Sequence, residues 1–199
     1  MNWNDIATVS VTLFFIMDPL GNVPIFNAIL ANFSEKRRML IVARELCIAL
    51  AILLLFLFSG NAILGFLGLS QSSLNIAGGV LLFIIALRMI FPKPLSEADL
   101  GDGEDPFLVP LAIPMIAGPS TIAVLLLLSS GEPDRMLEWS VALILAWLGT
   151  TVLLVASPFL MKVLGTRGSR ALERLMGMIL IILATQMLLN GVRDFANSL

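Results

Sequence analysis

The sequence predicts an all-α membrane protein of six transmembrane helices, and three observations support this fold class. The 199 residues are 58% hydrophobic and only 13% charged, with a mean hydropathy of +0.99, whereas soluble domains are about half apolar and a quarter charged. The apolar residues form long runs, such as LCIALAILLLFLF from residue 46. Six segments reach the ~20 residues that a bilayer crossing needs. They cover residues 6–30, 39–60, 73–91, 107–129, 137–161 and 172–192.

The distribution of basic residues predicts the orientation of these spans. Only Arg135 and Arg193 flank the loops on one side, and the other ten basic residues flank the loops on the opposite side: Lys36, Arg37, Arg38, Arg44, Arg88, Lys93, Lys162, Arg167, Arg170 and Arg174. Loops rich in lysine and arginine stay in the cytoplasm. We therefore expect the first, third and fifth loops to be cytoplasmic and both termini to lie outside.

The two halves of the chain resemble each other. IMDPLG, from residue 16, aligns with IAGPST, from residue 116, and FLGLSQSS, from residue 66, resembles VLGTRGSR, from residue 163. Farther on, Gly79, Ala86 and Met89 align with Gly177, Ala184 and Met187. We predict repeat 1 at residues 1–91 and repeat 2 at residues 107–199, joined by an acidic cytoplasmic linker at 92–106 within one integral membrane domain. Three spans per repeat require the second repeat to be inverted.

Spans 1 and 4 are each interrupted by proline near the middle of the bilayer. Aspartate is a good helix N-cap and proline a good first helical residue, so Asp18-Pro19 predicts a helix that stops and restarts. Gly118-Pro119 predicts the same in span 4. Each restarted helix would direct free N–H groups and the positive end of its dipole into the midplane, which suits a carboxylate ligand.

These two interruptions supply most of the candidate binding residues. The predicted set is Asp18, Pro19, Gly21, Asn22, Gly118, Pro119, Ser120, Thr121 and Gln186. Asp18 is the one acid placed in the middle of a span, where a carboxylate is costly. It is a candidate ligand for Na⁺, for H⁺ or for an ammonium group, and a plain helix cap is the alternative. Ser120 and Thr121 could donate to a substrate carboxylate or bond back to the preceding turn.

Two further charged residues are candidates for a gate at the cytoplasmic side. Glu45 lies in the first turns of span 2, and Arg88 lies near the end of span 3. An ion pair between them would close the inner side of the protein. The alternative for Arg88 is that it extends its charge to the membrane surface.

The residue inventory argues against several function classes. The chain contains no histidine and a single cysteine, so His-ligated metal or haem sites and two-cysteine thiol relays are excluded. No nucleophile–base pair or cluster of carboxylates is evident. We therefore expect neither an enzyme nor a cofactor, and no nucleic-acid partner.

The motifs MDPLGNVPIF, IPMIAGPSTI and LERLMGMILIILATQMLLNGV resemble the MarC family, also called UPF0056 or the neutral amino acid transporter family. The resemblance covers essentially the whole chain and is nearest to the YhgN-like branch. It implies a six-span protein of the bacterial inner membrane, with both termini periplasmic on the orientation above. Some relatives are described as transporters of small neutral amino acids such as glycine and alanine.

We therefore expect a secondary transporter of small neutral amino acids, with Na⁺ or H⁺ as coupling ion and alternating access to a midplane site. The alternatives are a passive channel for small polar solutes and a membrane regulator or scaffold without transport. The expected partners are the substrate and membrane lipid, and formation of a homo-oligomer stays open.

Overall fold

The computed structural model describes residues 2–30, 33–68, 70–91 and 116–197. The helices are α1 (Trp3–Met17), α2 (Pro19–Ile29), α3 (Glu35–Leu67), α4 (Gln71–Ile90), α5 (Pro119–Gly131), α6 (Met136–Val155) and α7 (Ser157–Asn197), with a 3₁₀ turn at Pro133–Arg135. The described residues contain no β-strand. The predicted linker at 92–106 and the beginning of span 4, up to residue 115, lie outside the described residues.

Five helical segments within the described ranges are long and apolar enough to cross a membrane. They are Trp3–Val23, Lys36–Gly60, Gln71–Ile90, Pro133–Val155 and Arg167–Asn197, and Ser120–Gly131 is a shorter apolar helix. An all-α membrane protein is therefore confirmed, and five of the six predicted spans have a long apolar helix at their position.

The main departure from the predicted boundaries lies between spans 5 and 6. We expected span 5 to reach residue 161 and a loop to follow, but α6 ends at Val155 and α7 begins at Ser157. Pro158 has no N–H for the carbonyl of Leu154, so the helix is interrupted there. The polar stretch that follows stays helical apart from one kink at Gly165, where φ is 62°. A single glycine in the left-handed region is enough to redirect the chain.

The helices form a bundle with two distinct ends. At the first, called the Arg135 end, Arg135 Nη2 lies 2.6 Å from Asp5 Oδ2, so the starts of α1 and α6 meet. At the second, called the Lys36 end, Arg38 Nη2 donates to Ser157 Oγ at 3.5 Å, which joins the start of α3 to the start of α7. The basic N-terminal turn of α3 belongs to this second end.

Buried side chains form two separate cores. The large core joins α1, α2, α3, α5 and α6, and includes Leu13, Leu53 and Trp139. The small core joins α4 to α7 through Leu82, Ala86, Met89, Leu180 and Ala184, with Ile16 of α1 added. Helix α4 packs more extensively against α7 than any other two helices pack together. The α4–α7 pair is therefore one packing unit set against the other helices.

Glycines allow α4 and α7 to approach each other closely. A methyl group built on Gly79 would lie 3.0 Å from the carbonyl oxygen of Ala184. One built on Gly177 would lie 3.0 Å from the carbonyl oxygen of Ala86. Since the obstacle in both cases is backbone, neither site can accept a side chain without moving a helix. Small residues at helix interfaces bring backbones together in this way in membrane proteins.

We expect Gly79→Ala and Gly177→Ala each to destabilise the protein by about 1–3 kcal/mol, since an added methyl group overpacks the α4–α7 interface. The measurement is the apparent melting temperature of the purified protein in detergent. Gly65→Ala is the matched control, because a methyl group at Gly65 meets nothing within 4 Å. This variant should gain roughly 0.5–1 kcal/mol from helix propensity. Equal melting temperatures for all three variants would refute the close-packing account.

Candidate functional site

The chain leaves the helix at Asp18, as the sequence led us to expect. Asp18 has φ 45° and ψ 59°, and it is the only non-glycine residue with positive φ in the described part of the chain. Its N–H donates to the carbonyl of Phe15 at 3.1 Å. Helix α2 then begins at Pro19. The first span is therefore two helices separated by one left-handed residue.

Side chains satisfy the backbone groups that this break exposes. The N–H of Gly21 donates to Asp18 Oδ1 at 3.1 Å, so Asp18 caps α2. Asn22 Nδ2 donates to the carbonyl of Met17, the last residue of α1, also at 3.1 Å. A methyl group on Gly21 would collide with Asp18 Oδ2 and lie 3.0 Å from Met89 Cε. Glycine is needed here because the carboxylate occupies the space that a side chain would fill.

The second interruption repeats this arrangement at Gly118. Gly118 is the extended N-cap residue of α5, which begins at Pro119. Thr121 Oγ1 donates to the carbonyl of Ile116 at 3.4 Å, five residues back, as Asn22 does to Met17. Ser120 and Thr121 are buried, with 3% and 1% of their surface exposed. Thr121 therefore hydrogen-bonds back to the turn that precedes α5, which is the second of the two roles predicted for it.

A cavity of about 520 Å³ opens at the Arg135 end, between the α4–α7 pair and the other helices. Thr12 and Ile16 of α1, Gln71 and Asn75 of α4, and residues of the other helices line it: Val124, Leu127, Leu128, Gly131, Glu132, Trp139, Leu183, Gln186, Met187 and Asn190. Its volume is within the usual range for small-molecule sites. Ile16 and Val124 line its inner region. Ile16 is two residues from Asp18, about 3 Å along a helix, and Val124 is five residues from Pro119, about 8 Å along a helix.

Four of the polar residues that line this cavity carry uncharged amides, and the remaining two are Thr12 and Glu132. Gln186 Nε2 donates to Asn190 Oδ1 at 2.9 Å on α7, and Gln71 Nε2 donates to Ser130 Oγ at 3.0 Å. Asn75 lies one turn after Gln71 on α4. Of the predicted site residues only Gln186 lines this cavity. Gln71 and Asn75 were missed because polar residues near the end of a span look like ordinary membrane-surface residues.

An ion-pair cluster holds the rim of the cavity together. Arg135 contacts Asp5 at 2.6 Å, Glu132 at 2.7 Å and Glu138, and its guanidinium lies 4.5 Å from the centre of the Trp139 ring. One cation thus contacts three carboxylates, which come from α1, the turn before α6 and α6 itself. Because Glu132 and Trp139 also line the cavity, the cluster fixes the wall opposite the α4–α7 pair.

The remaining predicted residues lie away from the cavity. Asp18, Pro19, Gly21, Asn22, Gly118, Ser120 and Thr121 lie at the two interruptions and do not line it. Glu45 is fully buried and pairs with Arg44, whose Nη2 lies 2.9 Å from Glu45 Oε1, while Arg88 is exposed on α4. The gate between Glu45 and Arg88 stays a prediction.

Comparison with known proteins places the chain in a family. Residues 3–196 match the MarC family integral membrane protein. The chain belongs to the MarC family. This MarC-family chain is 50% identical over 191 residues to the UPF0056 inner membrane protein YhgN of Escherichia coli strain K12, covering 96% of this chain and 97% of that protein.

Two more distant relatives extend this similarity. The chain is 48% identical over 194 residues to a UPF0056 membrane protein of Buchnera aphidicola subsp. Baizongia pistaciae, covering 96% of this chain and 98% of that one. It is 31% identical over 199 residues to a UPF0056 membrane protein of Methanocaldococcus jannaschii, covering 95% and 87%. No solved structure matches the chain. Together with the apolar helices, these relatives identify a multi-pass inner-membrane protein of the MarC family.

We expect Asp18→Ala to lower stability by about 1–2 kcal/mol, since alanine loses the cap on α2 and is disfavoured at positive φ. Asp18→Asn should stay within a few tenths of a kcal/mol of the parent protein, because asparagine caps a helix and tolerates positive φ. Thermal melting of both variants in detergent compares them. If asparagine were as damaging as alanine, the charge of Asp18, not its capping geometry, would hold the break together.

Proposed function

We propose that this protein is a secondary transporter of small neutral amino acids, such as glycine or alanine, that is coupled to an ion and works by alternating access. One observation carries the proposal: a cavity with polar walls leads from the Arg135 end towards two helix interruptions deep in the bundle. Interrupted helices at the midplane are where secondary transporters bind substrate. The resemblance to a family described as neutral amino acid transporters supports the same substrate class.

The chemistry of the cavity suits a small zwitterion. Asn75, Gln186 and Asn190 present amide donors and acceptors that carry no net charge, so they can bind an ammonium and a carboxylate group together. Ile16 and Val124 provide an apolar surface for a short side chain. A solute with a net charge would be bound less well, because the amides cannot neutralise it.

We infer that the transport path between α2 and α7 is closed towards the Lys36 end. There the space between α2 and α7 is only about 10 Å³, and it is lined by Leu20, Val23, Leu160, Met161, Leu164, Ser169 and Leu172. This volume is too small for an amino acid. We infer that the structure represents the state in which the cavity faces the Arg135 end, and that movement of the α4–α7 pair would open the other side.

We also propose that the two halves are inverted repeats, which would relate these two states to each other. The close contact of Gly79 with Ala184 has a counterpart in that of Gly177 with Ala86, at a constant offset of 98 residues. The same offset relates Leu188, which also lies close to Gly79, to Ile90, which lies close to Gly177. Exchange of partners between two elements is what a two-fold relation produces.

The turns agree with this relation. The only glycines with positive φ in the described ranges are Gly68, at 61°, and Gly165, at 62°. They occupy the same place in the two similar stretches FLGLSQSS and VLGTRGSR. Both follow the second span of their half, so each half turns in the same way towards its third span.

Uptake of radiolabelled alanine into proteoliposomes tests the function. We expect accumulation above equilibrium when an ion gradient is imposed, and loss of most uptake in Asn75→Leu and Gln186→Leu, because both remove amide contacts from the cavity. Thr185→Val is the matched control: Thr185 is the neighbour of Gln186, is exposed, and does not line the cavity. This variant should transport normally.

The rivals make different forecasts in the same assay. A passive channel would give entry that equilibrates and does not respond to the gradient. A regulator or scaffold would give no flux above protein-free vesicles, with no difference between cavity and control variants. Either result would contradict the proposal.

We propose that the Arg135 end faces the periplasm, as the positive-inside rule requires. In a Cys47→Ser background, a cysteine placed at Asp134 should react with a membrane-impermeant thiol reagent in intact cells. A cysteine at Ser34 should react only after the cells are opened. Both positions are exposed in the structure, so the reverse pattern would invert the orientation and place the cavity on the cytoplasmic side.

A further inference from the structure

Glu45 occupies a core position of a membrane helix. The buried face of α3 is formed by Ile41, Val42, Glu45, Leu46, Ala49, Leu53 and Leu57, spaced at three and four residues. Glu45 is the one charged residue in this series, and none of its surface is exposed. It lies ten residues into α3, about 15 Å along the helix from Glu35. Burying a carboxylate at such a position costs free energy unless its surroundings pair it or hydrogen-bond it.

One oxygen of this carboxylate has no hydrogen-bond partner in the described part of the chain. Glu45 Oε1 accepts from Arg44 Nε at 3.0 Å, whereas Oε2 is buried and unpaired. Arg44 projects outward, with 41% of its side chain exposed. One oxygen of the Glu45 carboxylate is thus hydrogen-bonded, and the other is buried without a partner.

A second unpaired oxygen lies on α6, which packs against α3. Two bonds fix the register of α3 against α6 and the start of α7: Trp147 Nε1 donates to the carbonyl of Leu46 at 2.8 Å, and Arg38 Nη2 donates to Ser157 Oγ at 3.5 Å. Thr151 lies between these bonds on α6, as Glu45 does on α3. Thr151 Oγ1 is likewise buried and has no partner among the described residues.

Few charged residues of the described part of the chain surround this site. Among the described helices, α5 and α6 pack most extensively against α3. The α5 sequence, PSTIAVLLLLSSG, contains no charged residue, and the only one in α6 is Glu138, which lies at the Arg135 end, far from Thr151. On α3 itself, Arg44 is adjacent to Glu45, and Arg38 is about two turns away. A change in the charge of Glu45 would therefore act mainly on Arg44 and on the α3–α6 interface.

We propose that Glu45 is a proton-binding site within the membrane, and that it carries the coupling ion of transport as H⁺. This inference deepens the proposed function and rests on it. The free Oε2 accepts a proton from water that reaches the site, which neutralises the carboxylate. In this proposal the resulting O–H donates to Thr151 Oγ1, the unpaired oxygen on α6. Release of the proton to water on the other side restores the carboxylate and its pairing with Arg44.

The surroundings favour a proton over a metal cation. A sodium ion needs several oxygen ligands, whereas the observed feature of this site is one unpaired carboxylate oxygen, Glu45 Oε2. The guanidinium of Arg44, 2.9 Å from Oε1, would repel a second cation. A proton needs only the one free oxygen.

Infrared titration of the purified full-length protein tests the site without any need for transport. We expect carbonyl bands of buried, protonated carboxylic acids to appear as the pH is lowered, and the component that Glu45 contributes to be absent in Glu45→Gln while that of Asp18 remains. Asp194→Asn, which changes an exposed carboxylate on α7, is the matched control and should keep the band. Thr151→Val should keep the band but shift it, since the acceptor for the O–H is gone.

The opposite result is equally clear. If Glu45→Gln folds and its infrared titration is identical to that of the parent protein, Glu45 does not bind the proton. Should Glu45→Gln fail to fold, Glu45→Asp provides the test, because a shorter carboxylate should move the band, and an unmoved band would overturn the assignment.

Flux separates failure of this inference from failure of the proposed function. We expect a proton gradient to drive alanine accumulation by the parent protein, and Glu45→Gln to let alanine only equilibrate. Accumulation driven by Na⁺ alone, with no response to a proton gradient, would refute H⁺ coupling and leave the transporter intact. Absence of any alanine flux would refute the proposed function, while the infrared result would still decide whether Glu45 binds a proton.

Discussion

The structure depends on one constraint: a helix can be interrupted inside a membrane only if the protein itself satisfies the backbone groups that are freed. At the first interruption Asp18 accepts from Gly21, and Asn22 donates to Met17. At the second, Thr121 donates to Ile116. These local bonds allow both helices to stop and restart without water. They also occupy most of the polar atoms at the interruptions, so a substrate would have to meet them from the neighbouring cavity.

Because of these local bonds, the polar residues at the interruptions support the helices, and the residues that we propose to bind substrate lie elsewhere. Asp18 holds the start of α2, and its carboxylate fills the space above Gly21. The polar groups free to meet a solute lie instead on Gln71, Asn75, Gln186 and Asn190, on the α4–α7 pair. This pair has its own small core and its own close glycine contacts. Because this unit is packed tightly within itself and borders the cavity, it is the element that would move in the alternating access that we propose.

Much of the fold could be predicted from the sequence because its determinants are local. Asp18-Pro19 and Gly118-Pro119 are capping signals, and the structure places helix starts at both prolines. The start of α7 was missed because a polar stretch around Gly165 looks like a loop, although a single glycine with positive φ redirects an otherwise continuous helix. The amides of α7 were anticipated through Gln186, but those of α4 were missed, because only packing shows that Gln71 and Asn75 face the same space. Glu45 was predicted as a gate residue facing Arg88, whereas its pairing with the adjacent Arg44 depends on side-chain geometry that the sequence does not show.

The central claim is that the cavity at the Arg135 end opens and closes around a bound amino acid. Spin labels would be placed at Asp134, two residues from the lining residue Glu132, and at Arg193, three residues from the lining residue Asn190 on α7; both positions are exposed. Pulsed electron–electron double resonance on the Cys47→Ser protein in lipid vesicles would measure the distance between the two labels. We expect the distribution of distances between the two labels to shift to shorter values when alanine saturates the protein under a proton gradient. An unchanged distribution would contradict it.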